Sequence, residues 1–196
     1  MKIYKDYIIT YKLGLNLVEL KQSCYKMKEI IDEKLKKQIL EVENELKEGP
    51  STTQGFEHYN LLMSGFDGFH SLYFEIQKVF RQFNTRDEKY YIQCWLNIYE
   101  YGNFLDWHTH YPPHCNAWHG FFCVDCDLSK TTYRLPNISE PIDVVSENNL
   151  LVLSKSDGDS HRTWPWQYKD RDRITIAFDI VPSRVITSHI NHWIPI

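Results

Sequence analysis

The residues of this chain best suited to chemistry lie in one short run, Phe104-Leu105-Asp106-Trp107-His108-Thr109-His110. Asp106, His108 and His110 stand at alternate positions, so on an extended strand all three side chains leave the same face. Two neutral imidazole nitrogens and a charge-balancing carboxylate oxygen form a donor set for a divalent transition metal. An H-x-H pair by itself also fits two histidines that hydrogen-bond at a barrel mouth. The pattern gains a second half further on, where His161 precedes Arg173-Ile174-Thr175. Arg173, Thr175, Ala177 and Asp179 share one face of an alternating segment, and Ile174, Ile176, Phe178 and Ile180 share the other. A buried guanidinium beside a hydroxyl is a receptor for a small carboxylate. Left unpaired it would be costly, so Arg173 should meet an acid, either Asp179 or a ligand.

Other reactive side chains are weighed against this cluster. His114 follows Pro112-Pro113 in a loop expected to overhang it, which makes His114 a candidate substrate contact. His119 opens a strand and is expected to pack or to support a neighbouring histidine. Trp164 and Trp166 flank Pro165 just past His161 and offer flat apolar area, either to a substrate or as a cover for the barrel end. His58 and His70 lack a ligand partner nearby in sequence, and His189 and His192 belong to the C-terminal tail, which is expected to pack as an edge segment. Cys123-x-x-Cys126, with Cys115, lacks the second pair that a zinc finger requires.

The elements that position these groups follow from periodicity. Leu13, Leu17, Leu20, Cys24, Met27, Ile31, Leu35, Ile39, Val42 and Leu46 recur at threes and fours, one stripe of a helix or of two. Asn16 with Glu19 resembles a capping box, and Gly49-Pro50 is a stop signal. The stripe can cover a sheet, or it can bind a partner or a second copy. Residues 51–66 read as a loop, and Asp67 can cap a second helix buried through Phe69, Leu72, Tyr73, Ile76, Val79, Phe80 and Phe83. After Asn84 the period becomes two, predicting strands at 90–99, 104–110, 118–126, 131–135, 142–145, 150–153 and 173–181. Many short strands without intervening helices indicate an antiparallel sandwich or barrel with the helices outside. The expected layout is a single domain, 1–196: a mainly helical part at 1–89, a β core at 90–182 and a tail at 183–196.

Composition narrows the function. With 22 basic against 26 acidic residues in 196, the net charge is -4, which disfavours general nucleic-acid binding. No apolar run approaches the ~20 residues of a membrane span, and Met1 to Gly14 lacks the apolar core of an export signal. Five cysteines then read as reduced thiols, so a cytoplasmic protein is expected.

In order and spacing these motifs resemble the Fe(II)- and 2-oxoglutarate-dependent oxygenases, a double-stranded β-helix superfamily with H-x-D/E, a distal His and Arg-x-Ser/Thr. His108-Thr109-His110 stands at the first place, His161 at the second and Arg173-Ile174-Thr175 at the third. Asn97-x-Tyr99-x-x-Gly102 is similar to the strand ahead of the metal motif in the branch that oxidatively demethylates nucleic acids. WLNIYEYGNFLDWHTHYP and RITIAFDIVP look closer to small oxygenases of bacteria and phages, which would place the protein in a bacterial or host cytoplasm. The likeness covers residues 90–182.

The resemblance implies a jelly-roll, cupin-like barrel of mainly β structure. It implies Fe(II) held by His108, His110 and His161. It also implies 2-oxoglutarate held by Arg173 and Thr175, with Asn97, Tyr99 and Tyr133 adding hydrogen bonds. Such an enzyme, a dioxygenase and most simply a hydroxylase, couples decarboxylation of this small co-substrate to succinate with oxidation of a second molecule. The departure is His110, where a carboxylate is expected; Asp106 is the alternative ligand, or else the partner of a ligand's ring N–H. Two other readings remain: a cupin-like three-histidine dioxygenase without 2-oxoglutarate, and a non-catalytic β-sandwich binding module with structural histidines.

Overall fold

A computed structural model describes residues 1–41, 56–186 and 192–196. The elements in chain order are β1 (Lys2–Tyr4), β2 (Ile8–Lys12), α1 (Leu17–Glu41), α2 (Asp67–Phe83), β3 (Tyr90–Tyr99), β4 (Trp118–Asp125) and β5 (Lys130–Arg134). They continue with β6 (Ile142–Val145), β7 (Leu150–Lys155), β8 (Ser160–Thr163), β9 (Arg173–Pro182) and β10 (Ile194–Pro195). A major antiparallel sheet has the order β1-β2-β7-β4-β9-β3-β10, and a minor one has β6-β5-β8.

Period-two alternation gives the central strands two different faces. From β3, Ile92, Cys94, Leu96 and Ile98 join Ile174, Ile176, Phe178 and Ile180 of β9 in one apolar core. Leu20, Cys24, Met27 and Ile31 of α1, with Phe69, Leu72, Ile76, Val79 and Phe80 of α2, complete that core from outside the sheet. The stripe of α1 therefore covers the chain's own sheet through these residues. The opposite face of the sheet meets the minor sheet, where Ile8, Phe121 and Val152 pack with Tyr133 and Val144. Two facing antiparallel sheets with helices on the outer side agree with the sandwich that the periodicity predicts, and make a jelly roll of the double-stranded β-helix type that the resemblance implies.

The N-terminal part is less helical than expected. It opens with a β1–β2 hairpin whose two turn residues, Lys5 and Asp6, have φ of 51° and 61°, as a type I′ turn requires. Strand β2 then pairs with β7 and extends the major sheet. Asn16 does cap α1, accepting the Glu19 N–H, and α1 is continuous to Glu41. Val42, Leu46 and Gly49-Pro50 lie outside the described residues. Asp67 is the first helical residue of α2, whose cap position is Phe66 without a side-chain bond, so Asp67 does not cap it.

Segment 104–110 is also not the expected strand. Leu105 and Thr163 exchange bonds, as do His108 and His161, but Asp106 turns its carboxylate back onto the Trp107 N–H at 2.8 Å. That local bond breaks the ladder between the two pairs, and a single β-bridge at His108 and His161 remains. Strand β8, which carries His161, is absent from the strands that the periodicity predicts, and it is paired with β5.

Gly120 of β4 sits where neighbouring strands leave no room for a side chain. A Cβ there would overlap the Val152 carbonyl oxygen and stand 2.6 Å from the Phe178 ring. Gly120→Ala should therefore cost about 3 kcal/mol of stability through overpacking; an unchanged urea midpoint would show that the strands part freely at this point.

Candidate active site

Strands β3 and β9 pair along ten residues each, with Asn97 opposite Thr175 and Tyr99 opposite Arg173. Their inward side chains, with those of β4, β8 and segment 104–110, line a cavity of about 300 Å³. That volume is at the lower end of small-molecule sites.

The segment's alternation and the β8 bridge bring His108, His110 and His161 together, with one ring nitrogen of each within 4.8 Å of the others. His108 Nδ1 donates to the Asp106 carbonyl oxygen at 2.8 Å, which leaves its Nε2 as the lone-pair nitrogen. His110 Nδ1 lies 2.7 Å from Asp179 Oδ1, which likewise turns Nε2 away from the carboxylate. His161 is 7% exposed, and among the described residues its Nδ1 has no hydrogen-bond partner.

A fourth imidazole completes the cluster. His119 of β4 stacks on His110 at 4.2 Å and on His161 at 4.8 Å between ring centres. Its Nε2 donates to Asp159 Oδ2 at 2.8 Å, both side chains being 2% exposed. His119, Asp159 and His161 form a second group with one donor atom each within 4.8 Å of the others. Only His161 belongs to both groups.

Burial sets the protonation of the cluster. It pushes His161 well below the usual histidine range, helped by the repulsion of His119, His108 and His110. It also lowers His119 and His108. His110 goes the other way: burial alone would depress it, but the attraction and hydrogen bond of Asp179 outweigh that and raise it. Neutral imidazoles with free lone pairs are what a borderline metal ion requires.

The other end of the cavity is cationic. Arg173 is 2% exposed. Its Nε donates to Ser129 Oγ at 3.1 Å and its Nη1 to Thr175 Oγ1 at 3.3 Å, both neutral acceptors. Asp179, one of the two acids considered for Arg173, is engaged with His110 instead, and among the described residues Arg173 forms no ion pair with a carboxylate. Nearby, the Thr131 and Tyr133 hydroxyls are buried without a hydrogen-bond partner among the described residues, and Thr131 lines the cavity.

Several sequence-based candidates take other positions. The Asp106 carboxylate is exposed and belongs to neither donor group, and its backbone carbonyl accepts from His108 Nδ1. His114 is exposed in a 3-10 turn, outside the cavity lining, with its carbonyl accepting from Arg184. Trp166 is buried behind the site, its Nε1 bonded to the Arg171 carbonyl, and Trp164 points outward; neither lines the cavity. His58, His70 and His192 are exposed, and all five cysteines are buried free thiols. Asp159 and Thr131 were not foreseen, since neither stands in a spacing pattern with the histidines.

No protein-family model matches the chain, and no curated protein matches it in sequence. Solved structures do share its fold. A prolyl hydroxylase of Trichoplax adhaerens, in complex with a hypoxia inducible factor peptide fragment, superimposes with a TM-score of 0.62 at 11% identity, covering 91% of this chain and 84% of that one. A prolyl-4-hydroxylase of Pseudomonas putida gives 0.56 at 14% identity, over 90% and 85% of the two chains. SnoN, a non-heme alpha ketoglutarate dependent epimerase from nogalamycin biosynthesis, gives 0.58 at 8% identity, over 90% and 77%. At these identities the likeness is one of fold.

The His119–Asp159 contact yields a prediction that needs no ligand. Asp159→Ala would leave a buried ring N–H unpaired, and the urea midpoint should fall by the equivalent of about 2–3 kcal/mol. An unaltered midpoint would remove the pair from the core's support.

Proposed function

We propose that the chain is an Fe(II)- and 2-oxoglutarate-dependent oxygenase, most simply a hydroxylase, that couples formation of succinate to oxidation of a second molecule. One observation carries this reading. Arg173, buried with neutral partners only, faces the cavity where three imidazole nitrogens converge within 4.8 Å. A sealed cation without an acid calls for an anionic ligand, and converging neutral nitrogens call for a metal ion. Neighbours of the same fold that are hydroxylases or an alpha ketoglutarate dependent enzyme support it further.

The donor set fits a divalent iron. His108, His110 and His161 would hold it, with His161 offering a buried nitrogen that has no other partner at Nδ1. Three neutral ligands leave the ion's charge uncompensated at the metal, which favours an anionic chelate. Asp179 would supply negative charge at one remove, through the His110 ring. When bound, iron and 2-oxoglutarate supply the oxidising power, and the protein supplies geometry and a shielded pocket.

The chain's own residues would then do three things. Arg173 and Thr175 grip the distal carboxylate of 2-oxoglutarate, while Asn97, Tyr99 and the unpartnered hydroxyls of Tyr133 and Thr131 add hydrogen bonds. His119, stacked on two of the ligands and tied to Asp159, holds their rings in place. Trp95 and Ala177, also in the lining, face the space left for the second molecule. The free thiols suit a reducing compartment, and we place the protein in a bacterial or phage-infected cytoplasm. Among the described residues no helix is long and apolar enough to cross a membrane.

His110 at the usual carboxylate place favours a second reading, a three-histidine dioxygenase that needs no 2-oxoglutarate, though it leaves Arg173 without a task. Oxygen uptake that is independent of 2-oxoglutarate would select that reading. On the main one, His161→Ala should reduce succinate formation to background, and retention of full turnover would exclude His161 as a ligand. Arg173→Gln should raise the 2-oxoglutarate concentration for half-maximal turnover by about tenfold or more while calorimetric metal binding stays near wild type. An unaltered requirement would take Arg173 out of the clamp. Finally, because Asp179 raises His110, metal must displace a proton there. Metal affinity should thus weaken as pH falls through the raised value, and Asp179→Asn should move that loss to lower pH. A flat profile would mean that His110 does not bind the ion.

A further inference from the structure

The outer face of the minor sheet carries an arrangement that the proposed oxidation does not use. Thr131, His161 and Thr163 point into the cavity, so strand alternation sends Lys130, Thr132, Arg134 and Arg162 outward. Trp164 and Trp107 join them from the flanking segments. The guanidinium of Arg134 lies 3.9 Å from the Trp107 ring centre, and that of Arg162 lies 5.0 Å from both Trp107 and Trp164. Lys130 Nζ lies 4.1 Å from the Trp164 ring centre. The result is a continuous stripe in which cations and indoles alternate.

One end of the stripe is pinned. Trp164 Nε1 donates to Thr132 Oγ1 at 2.7 Å, Thr132 donates to Asp143 Oδ1 at 2.6 Å, and Lys130 pairs with Asp143 at 2.9 Å. The other end is not neutralised: among the described residues neither Arg134 nor Arg162 forms an ion pair with a carboxylate, and Arg162 Nε is buried without a hydrogen-bond partner. In a chain with 26 acidic and 22 basic residues, two adjacent arginines outside any ion pair, with Asp143 the carboxylate that Arg162 feels at longer range, are a local reversal of charge.

We propose that this stripe is a docking surface for an acidic segment of a polypeptide. A guanidinium stacked on an indole keeps its in-plane N–H edge free, and that fork matches a carboxylate bidentately. Stacking also holds the long side chains before binding, which reduces the ordering cost of association. A nucleic acid fits less well. Each indole is already in contact with two cations, so its faces are poorly available to bases. Three cations on an acidic chain also neutralise few phosphates. Docking needs neither iron nor 2-oxoglutarate, so it can be tested whatever reaction the cavity performs.

The test uses the full chain and fluorescence anisotropy with labelled deca-glutamate, deca-lysine and an oligothymidylate. Deca-glutamate should bind and weaken with added salt, deca-lysine should not bind, and oligothymidylate should bind less tightly than deca-glutamate. Arg134→Gln combined with Arg162→Gln should weaken deca-glutamate about tenfold or more. Because Arg162 adjoins His161, the exposed single variant Arg134→Glu guards against misfolding; it should also lose affinity, with an unchanged circular dichroism spectrum. Absence of deca-glutamate binding, affinity indifferent to both variants, or tighter binding of the oligothymidylate would each overturn the proposal.

Discussion

A guanidinium inside a β-sandwich must be compensated, and Arg173 donates to two neutral acceptors, the hydroxyls of Ser129 and Thr175. Neutral acceptors orient a cation without cancelling its charge. Its position is fixed because β9 is paired on both sides, by β3 and by β4. The side chain cannot swing to solvent without breaking a central strand. The structure thus holds a positive charge at the end of a small cavity, and the requirement for a negative ligand follows from that enclosure.

The opposite end of the cavity handles charge differently. Four imidazoles crowd together, five of their pairs at ring-centre distances of 4.2 to 5.4 Å, and burial, helped by mutual repulsion, lowers the pKa of His161, His119 and His108. Two carboxylates, Asp179 and Asp159, each contact one ring of the cluster. In the resembled pattern a carboxylate stands where this chain has His110, and here Asp179 of β9 contacts that ring.

What the sequence discloses depends on whether a side chain's role leaves a periodic trace. The two-faced strands β3, β4 and β9 do, since their apolar residues alternate against the helices. Strand β8 does not: Ser160-His161-Arg162-Thr163 is polar on both sides, because one face meets a cavity and the other water. The β1–β2 hairpin escaped because Lys5-Asp6 lacks the glycine or asparagine that usually announces such a turn. Segment 104–110 alternates like a strand, but the Asp106 carboxylate takes its neighbour's N–H and a single bridge to His161 is all the ladder it forms. The histidine partners needed register: Asp179 reaches the cluster because it lies opposite His119 across the β4–β9 pairing. No spacing rule applies to residues that meet across strands.

The ten-rung pairing of β3 with β9 has a consequence for how such a pocket can diversify. Inserting or deleting one residue in either strand would exchange its core side chains with its cavity side chains, so length variation there is forbidden. Point replacement is another matter. Trp95 and Ala177 face each other in register and both border the cavity, while their sequence neighbours carry the packing against the helices. Descendants of this chain could therefore exchange bulk between those two sites and reshape what fits, generation after generation, with the scaffold's interior left untouched.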